Sequence, residues 1–600
     1  MPSLSPSVDI TEINYTAIVP AVSTTPAAIA GRFNNGPLNV PVLITSETDL
    51  VSTFGTPDNT NYMEWFAAAQ FLQYSSSLYV VRAEPSGVLN ATWSASGFLI
   101  DNQNTFNNLT SIQKNAIGNF AAKVPGTIGN SLGVIIVDAA GWNAFTAWAA
   151  TITNMPSNIT FDKYFSGAPS TTQYVSSLAV NTSEAKYDEV HILVYDSTGN
   201  ITGTKNKVLE IYQGLSKATD AIDSTGKSIF APNNINQNSK YVWMVSFPSV
   251  SATSTSLDAN TNVAASQIAA VGYNFAQFTF TSVGTTYSLE VLLSGGVAGT
   301  TAGDAQIQTA YSQFSNPDNI SIGHVITAGF DATIIQYCVN TLAYGRGDAM
   351  AYMSVYNGTP GTPILDTDTT PEQEAVTCKN SWNLADMYAQ YSMTDSGYKY
   401  IFDKYNNVYR WIPMNGDTAG IAARLGYIAQ EFYSPGGFNR GGLINVIKLG
   451  FNPNKAQRDV IYPVGINPIV HFNNQGVVLF GDRTGTTKPS AFDRYNVRRL
   501  FIILEKAISI AARYQLFEFN DVFTQAAFKN MVEPFLRTIQ GQRGIIDFTV
   551  ICDSTVNTPA IVDSNQFVGQ IWVNPARSIN NITLTFVAEN GNVSFNYQIA

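Results

Sequence analysis

The stretch RRLFIILEKAISIAARYQ, residues 498–515, has the apolar periodicity of a long amphipathic helix. Its apolar residues recur at intervals of three and four, which places them on one helix face: Leu500, Ile503, Leu504, Ala507, Ile508 and Ala511. The helix is predicted to begin at Asp493 or a close neighbour. Because its apolar face must be buried, the helix requires other elements to pack against it.

The residues that follow supply these packing partners. A second helix is predicted to begin near Asn520 and Asp521, whose side chains can cap it, and to end before Gly541. Two strands are predicted next, in IIDFTVICD (545–553) and QFVGQIWVNP (566–575). Helices packed on one mixed sheet indicate an α+β fold for this part of the chain.

The segment NITLTFVAENGNVSFNYQIA, residues 581–600, gives the clearest local signal in the chain. Apolar and polar residues alternate on both sides of Asn590-Gly591, which predicts a β-hairpin with a tight type I′ turn. The last strand places four apolar residues on one face: Val593, Phe595, Tyr597 and Ile599. The hairpin either closes a sheet of its own chain or lends its last strand to a neighbouring chain.

The N-terminal third has weaker patterns. Residues 8–15 form a short β-prone segment, residues 62–74 are predicted to be a helix, and residues 78–82 a strand. From about 84 to 183 the chain is rich in Asn, Ser, Thr and Ala with little periodicity. This composition predicts an inserted domain that faces solvent.

Strands and helices are predicted to alternate between residues 186 and 340. The first strand is EVHILVYD, residues 189–196, and a helix is predicted over Lys207–Lys217 because its apolar residues recur at helical spacing. The region from 346 to 600 is the most regular part of the chain.

One segment, AIDSTGKS at residues 221–228, fits the relaxed form of a phosphate-binding loop. Such a loop follows a buried strand and opens a helix. Here a helix is predicted before the segment, and Pro232 with its Asn neighbours is predicted not to extend a helix after it. The order helix, turn and short strand is the reverse of what phosphate binding requires. The segment is therefore predicted to be a polar turn in which Gly226 has a positive φ.

The composition argues against several classes of protein. Charged residues make up 12% of the chain and the net charge is −11, whereas a nucleic-acid-binding protein needs a basic surface. No window contains the 18 or more apolar residues of a membrane span. The first fifteen residues lack the basic start and apolar run of a secretory signal. Neither direct nucleic-acid binding nor membrane insertion is expected.

The chain shows no catalytic or metal-binding motif. The acidic run at 365–374 lacks the glycine and the spacing of a calcium loop. No Cys-x-x-Cys pair and no pair of histidines at metal-ligand spacing occurs among Cys338, Cys378, Cys552, His191, His324 and His471. The sequence therefore predicts neither an enzyme nor a bound cofactor or metal.

An ordered series of sequence blocks extends along nearly the whole chain. The blocks are GRFNNGPLNVPVLITSETDLVSTFGTP (31–57), LYVVRA (78–83), a middle block at 188–243, WIPMNGDTAGIAAR (411–424), EFYSPGGFNRG (431–441), INPIVHFNNQGVVLFGDRT (466–484) and YNVRRLFIILEKAI (495–508). Together they resemble the contractile tail sheath proteins of T-even-like (myovirus) bacteriophages. The Ser- and Asn-rich stretch from about 90 to 180 has no match in that resemblance.

The resemblance implies an α+β, multidomain tail-sheath fold. An inner α+β domain is built from the C-terminal region together with the N-terminal arm, and β-rich domains are inserted on the outside. The implied divisions are an N-terminal arm (1–24), a middle domain (25–90 and 184–345), an outer protruding insertion (91–183) and an inner C-terminal domain (346–600) that ends in a strand arm.

The resemblance also implies a structural role in the tail sheath of a virion, assembled in the host cytoplasm. Proteins of this family form stacked hexameric rings around a tail tube and contract, without nucleotide hydrolysis, to drive the tube through the host envelope. The expected partners are further copies of the chain, the tail tube protein, and the baseplate and tail terminator proteins. The alternatives are a sheath of another contractile injection system, of bacteriocin or secretion type, and a self-assembling surface-layer protein.

Two sets of interface residues follow from the resemblance. The terminal arms of the family join a neighbour's sheet, which implies inter-subunit strand exchange through Val8, Ile10, Ile13, Tyr15, Val593, Phe595, Tyr597 and Ile599. Residues 481–543 carry ten Lys or Arg against six Asp or Glu in an acidic chain. Because the family places this region near the tube, five basic residues are candidates to face acidic tube groups: Arg494, Arg498, Arg499, Lys506 and Arg513.

Overall fold

The computed structural model describes residues 26–137, 161–169, 189–216, 221–245, 281–282, 286–287 and 290–580. Its strands, in chain order, are β1 (Ala27–Gly31), β2 (Val42–Ile44), β3 (Leu78–Arg82), β4 (Phe120–Ala122), β5 (Leu132–Val137), β6 (Glu189–Asp196), β7 (Lys207–Ser216), β8 (Val242–Met244), β9 (Thr281–Ser282), β10 (Thr286–Tyr287), β11 (Glu290–Leu292), β12 (His324–Ile326), β13 (Met350–Ser354), β14 (Ser392–Asp395), β15 (Tyr398–Asp403), β16 (Val408–Pro413), β17 (Lys448–Leu449), β18 (Ile466–Asn467), β19 (Ile469–Phe472), β20 (Gly476–Leu479), β21 (Ile545–Ile551) and β22 (Gln570–Pro575).

The helices, in chain order, are α1 (Glu47–Phe54), α2 (Tyr62–Phe71), α3 (Gln103–Asn107), α4 (Ser111–Ile117), α5 (Phe161–Tyr164), α6 (Ala231–Asn238), α7 (Asp304–Ser312), α8 (Ala332–Gln336), α9 (Tyr344–Arg346), α10 (Pro371–Ser381), α11 (Asp386–Ala389), α12 (Asn415–Ile428), α13 (Lys455–Ile461), α14 (Tyr495–Ala512), α15 (Val522–Gly541) and α16 (Pro559–Asp563). A π-helical segment, Tyr337–Ala343, connects α8 to α9.

A seven-stranded sheet organises the largest core of the described chain. Its order is β18-β14-β13-β12-β1-β3-β2, and every neighbouring pair is parallel except β2 with β3. Strands β1 and β13 are buried along their whole length, as expected for parallel strands that are covered on both faces. The helices α2 and α12 pack against each other and against this sheet.

Gly416 allows α2 and α12 to approach closely. A Cβ atom added at Gly416 would overlap the carbonyl oxygen of Ala67 in α2, and backbone atoms cannot move aside as a side chain can. We expect Gly416→Ala to lower the free energy of unfolding by about 2–3 kcal/mol, because overpacking strains both helices. Gly541→Ala is the matched control, because nothing lies within 4 Å of its added Cβ. Urea denaturation measures both variants, and equal stabilities would contradict this account of the helix contact.

A second, antiparallel sheet has the order β11-β5-β6-β7, and β4 pairs with β8 beside it. One hydrophobic core joins their residues, from Ala91 to Leu293. Strands from both sides of residue 183 share this core, so the outer unit in the structure is larger than the 91–183 insertion expected from the sequence. The seven-stranded sheet likewise extends across the expected boundary at residue 345.

Strand β7 corrects the prediction of a helix over Lys207–Lys217. The segment pairs antiparallel to β6, from Asp196 opposite Lys207 to Glu189 opposite Ser216. Two irregularities in register each give β7 one residue more than β6. These extra residues interrupt the two-residue alternation of the strand, so its apolar residues recur at three- and four-residue intervals.

The C-terminal helices and strands confirm the predicted mixture of helix and sheet. Helix α14 follows Arg494, and α15 follows Asp521, whose Oδ1 accepts the backbone N–H of Thr524 at 2.8 Å. Helix α15 includes Gly541, one residue beyond its predicted end. A separate inner core contains Leu500, Ile503, Leu504, Ala507 and Ala511 of α14, Phe528, Val532 and Leu536 of α15, and Ile545 and Val550 of β21.

Candidate assembly interface

Strands β21 and β22 form a two-stranded antiparallel ribbon, hereafter the ribbon. On one face, Phe548, Ile571 and Val573 pack against the inner core. On the other face, Ile546 and Trp572 are exposed. The ribbon pairs with no further strand among the residues that the structure describes. Each of its strands therefore has an outer edge where another strand can add.

Residues 576–580 lead from the ribbon to the start of α14. Asn496 donates a hydrogen bond to the Ala576 carbonyl oxygen at 2.9 Å, and the Ser578 hydroxyl donates to Asp482. The described chain ends there, at Asn580. The predicted strand-exchange residues all lie outside the described residues: Val8, Ile10, Ile13, Tyr15, Val593, Phe595, Tyr597 and Ile599.

The structure corrects the prediction that Arg498 and Arg499 face a tube. Both side chains are buried in their own chain, with 4% and 1% of their surface exposed. The Arg498 guanidinium lies 4.4 Å from the ring centre of Tyr391 and 4.6 Å from that of Phe492, and it donates to Glu505 at 3.1 Å. A guanidinium held between two rings cannot present its charge to another protein.

Arg499 belongs to a buried polar network that connects α14 to the seven-stranded sheet. It donates to the Gly323 carbonyl oxygen at 2.9 Å and lies 3.2 Å from His324 Nε2. His324 Nδ1 is 2.8 Å from Tyr352 Oη, which is 3.0 Å from Tyr495 Oη. Burial, with the Arg499 charge adding to it, holds the pKa of His324 well below its usual range. The neutral imidazole can therefore accept a hydrogen bond from the guanidinium.

The prediction for these two arginines was wrong because α14 has two apolar faces. Leu500 and Ile503 pack in the inner core, whereas Tyr495 and Ile502 pack in the core of the seven-stranded sheet. The second apolar face is visible in the sequence, because Ile502 directly precedes Ile503 of the first face. A helix buried on two sides has little room for exposed charge, so its arginines are drawn into internal hydrogen bonds.

The other three candidates also pair within the chain: Arg494 with Asp482 at 3.3 Å, Lys506 with Asp348 at 3.1 Å, and Arg513 with Asp318 at 3.1 Å. The side chains of Arg494 and Lys506 are mostly buried, whereas that of Arg513 is 62% exposed. Among the five basic residues, Arg513 alone presents its charge at the surface of the described chain.

The sequence patterns did not single out the connection from α14 into the first turn of α15, residues Tyr514–Phe523, hereafter the tip. Six large apolar side chains of the tip are between 62% and 105% exposed: Tyr514, Leu516, Phe517, Phe519, Val522 and Phe523. Phe517 also has a left-handed backbone, with φ of 73°. The signal was present in the sequence, because helix connections are usually polar and this one is rich in aromatic residues.

Asp386 fixes the loop that precedes α14. Its Oδ1 accepts the backbone N–H of Thr487 at 3.0 Å and the hydroxyl of Thr486 at 3.0 Å, and its carboxylate lies 3.3 Å from Lys488. These partners, the Thr487 N–H first among them, lower the pKa of Asp386 to about 2.

We expect Asp386→Asn to lower the free energy of unfolding by about 1 kcal/mol at pH 7. Because the folded-state pKa lies below the usual value of 3.8, this stabilisation is present above 3.8 and is lost as the pH falls through about 2. The variant should therefore lose less stability than the parent over that interval. Urea titrations at a series of pH values measure the difference, and parallel pH profiles would contradict the assignment.

The turn at residues 221–228 lies between strand β7 and helix α6, so the predicted order of helix, turn and strand is wrong. Pro232 occupies the first turn of α6. Its missing N–H is tolerated there, since the first helical N–H groups have no partner within the helix.

The geometry of this turn nevertheless argues against phosphate binding. Ile222 and Ser228 pair across it as an antiparallel bridge. Asp223 Oδ1 accepts the backbone N–H groups of Thr225 at 2.8 Å and Lys227 at 3.0 Å. The turn thus uses its own carboxylate where a phosphate would need free N–H groups. The predicted positive φ of the turn glycine is confirmed, at 82°.

Within the described ranges, no group of three His, Cys, Asp or Glu side chains is arranged to hold a metal ion. No helix in the same ranges is both long and apolar enough to cross a bilayer. The three cysteines of the chain are buried, free thiols.

Comparison with known proteins gives consistent matches. A family described as the phage tail sheath C-terminal domain matches residues 487–589, and the tail sheath protein Gp18 domain III N-terminal region matches residues 24–83. The tail sheath protein of Vibrio phage KVP40 is 30% identical, over 99% of both chains, and that of Enterobacteria phage T4 is 31% identical, over 98% of both chains. A solved sheath tail protein from Listeria innocua is 12% identical, covering 93% of this chain and 96% of its own, with a TM-score of 0.49. On the full-length identity to the phage proteins, this chain belongs to the tail sheath protein family of bacteriophages.

Proposed function

We propose that this protein is the structural subunit of a contractile phage tail sheath, located in the virion tail. In this proposal it assembles as stacked hexameric rings around a tail tube and contracts to drive the tube through the host envelope for DNA ejection. Full-length identity to tail sheath proteins supports the proposal. The observation that carries it is the ribbon, which has two open edges. Within a few residues of its end, the chain continues into a segment in which apolar and polar residues alternate.

Strand exchange supplies the joints of the lattice in this proposal. The ribbon is the receptor, and the strands it receives are residues 8–15 and 593–599 of neighbouring copies. Main-chain hydrogen bonds give such joints strength, and alternating apolar side chains fix their register. The exposed side chains of Ile546 and Trp572 lie on the ribbon face that the inner core leaves open.

Contraction then follows from rearrangement of rigid units on flexible ties. The outer sheet has its own hydrophobic core, whereas α14 packs both in the inner core and in the core of the seven-stranded sheet and so joins these two into a second unit. Such units can move as bodies while the terminal arms keep neighbouring copies connected. Energy is stored when the extended lattice assembles and is released on repacking, without a nucleotide, a cofactor or an enzyme active site.

The proposed partners of the assembled sheath are the tail tube, the baseplate and the tail terminator. Arg513 remains the candidate for a salt-sensitive contact with the tube, because its charge is exposed. Charge reversal at Arg498 or Lys506 would disrupt contacts within the chain, so a loss of assembly in such a variant would not show that the residue contacts the tube.

Negative-stain electron microscopy of the purified full-length protein, alone and co-expressed with a tube protein, tests the proposal. Hollow, cross-striated tubes are the expected result in at least one of the two preparations. Flat two-dimensional lattices would overturn the proposal in favour of a surface layer. Monodisperse protein in both preparations would contradict self-assembly around a tube.

A further inference from the structure

The tip is too apolar to face water in an assembled particle. Its four aromatic side chains are 72% to 105% exposed. At about 200 Å² for each aromatic side chain, they expose roughly 700 Å² of surface. The largest apolar patch on a typical monomer is about 300–600 Å², and a standard protein–protein interface buries about 800 Å² on each partner. The tip therefore has the area of one side of a protein–protein interface.

The tip is acidic as well as apolar. Glu518 and Asp521 lie among its aromatic residues, and both are exposed. Arg513, the basic residue next to the tip in the sequence, is paired with Asp318. A surface that fits the tip must therefore offer apolar rings flanked by positive charge.

Another part of the same chain has this character. Phe438, Phe472 and Phe480 form an aromatic cluster, hereafter the trio, with ring centres 5.1 to 5.9 Å apart. Phe438 and Phe480 are exposed, and Phe472 is half-buried. The guanidinium of Arg458 lies 5.8 Å from the ring centre of Phe480 and donates to a backbone carbonyl oxygen. Arg440, two residues after Phe438, also donates to a backbone carbonyl oxygen. Carbonyl partners leave the charge of both guanidinium groups unneutralised.

We propose that the tip of one copy docks on the trio of a second copy. The contact joins two different surfaces of one chain, so it is heterologous, and a heterologous contact that does not close into a ring propagates as a helix. This inference deepens the proposed function, on which it rests, by naming a sheath–sheath contact separate from strand exchange. Glu518 and Asp521 of one copy then face Arg440 and Arg458 of the next.

Cysteine cross-linking in assembled tubes tests the contact directly. The chain has three cysteines, all buried, so introduced surface cysteines react selectively. In tubes of the double variant Phe517→Cys/Phe438→Cys, a short bismaleimide is expected to give a ladder of multimers on a denaturing gel. Tubes mixed from the two single variants should give dimers only. The control pair Ile112→Cys/Phe438→Cys, with Ile112 exposed on α4 of the outer unit, should cross-link about tenfold less, since its effective concentration is low.

Three outcomes in intact tubes would overturn the contact: cross-linking no greater than in the control pair, dimers from Phe517→Cys alone, or attachment of Phe517→Cys to the tube protein. If the double variant does not assemble, the rim pair Glu518→Cys/His471→Cys gives the same test with the aromatic residues intact. Wild-type protein that forms no tubes would count against the proposed function instead, so the two failures are distinguishable.

Discussion

Deleting residues 593–600 is expected to abolish tube assembly while leaving a folded, soluble monomer. The deleted strand carries four apolar residues on one face, and burying each is worth about 1.5–3 kcal/mol. Their loss removes several kcal/mol from every joint, which corresponds to a weakening of more than about a thousandfold. The ribbon and the inner core precede residue 580, so they retain their own contacts.

Electron microscopy and sedimentation velocity measure the assembly, and circular dichroism checks the fold of the truncated chain. A matched pair of full-length variants distinguishes the contribution of the strand's apolar face to assembly from that of its other face. Replacing its four apolar residues by Ser should reproduce the truncation, whereas Asn596→Ser/Gln598→Ser, on the other face, should still assemble. Normal tubes from the truncated chain would rule out strand exchange through the C-terminus.

Lys399→Met is expected to lower the free energy of unfolding by about 3–5 kcal/mol, because it leaves a buried carboxylate without its cation. Lys399 Nζ lies 2.8 Å from Asp417 Oδ1, and both side chains are fully buried. The ammonium also donates to Gln70 at 2.9 Å, and Tyr74 donates to Asp417 at 2.9 Å. Burial lowers the pKa of Lys399 and raises the pKa of Asp417, and each charge opposes the shift in the other.

Urea denaturation followed by tryptophan fluorescence measures this loss. Lys455→Met is the matched control, because its partner Asp459 is exposed and such an i,i+4 pair is worth about 0.3–0.5 kcal/mol. The double variant Lys399→Met/Asp417→Leu should recover much of the stability, since it leaves no unpaired buried charge. A loss for Lys399→Met as small as that for Lys455→Met would show that the pair does not hold α12 in place.

Strong local patterns predicted the positions of several helices and strands. The strand Glu189–Asp196, the helices α14 and α15 and the strands of the ribbon lie where their periodicity indicated. The patterns gave wrong predictions for two elements, β7 and α6. Bulges gave β7 the spacing of a helix, and a first-turn proline was taken for a helix breaker in α6.

The candidate interface was harder to predict than the fold, because it depends on contacts distant in sequence. The burial of Arg499 depends on Gly323 and His324, about 175 residues away in the chain. No local pattern encodes such a pairing. The tip was missed for a different reason: most of its aromatic residues lie between α14 and α15, and periodicity has no meaning outside helices and strands.

The measurement that tests the central claim most directly is a cryo-electron-microscopy structure of the assembled tube. The account predicts that each ribbon gains strands from other copies, with residues 593–599 of a neighbour hydrogen-bonded along one of its edges. A tube in which the C-terminal hairpin folds back on the ribbon of its own chain, with no strand crossing between copies, would contradict it.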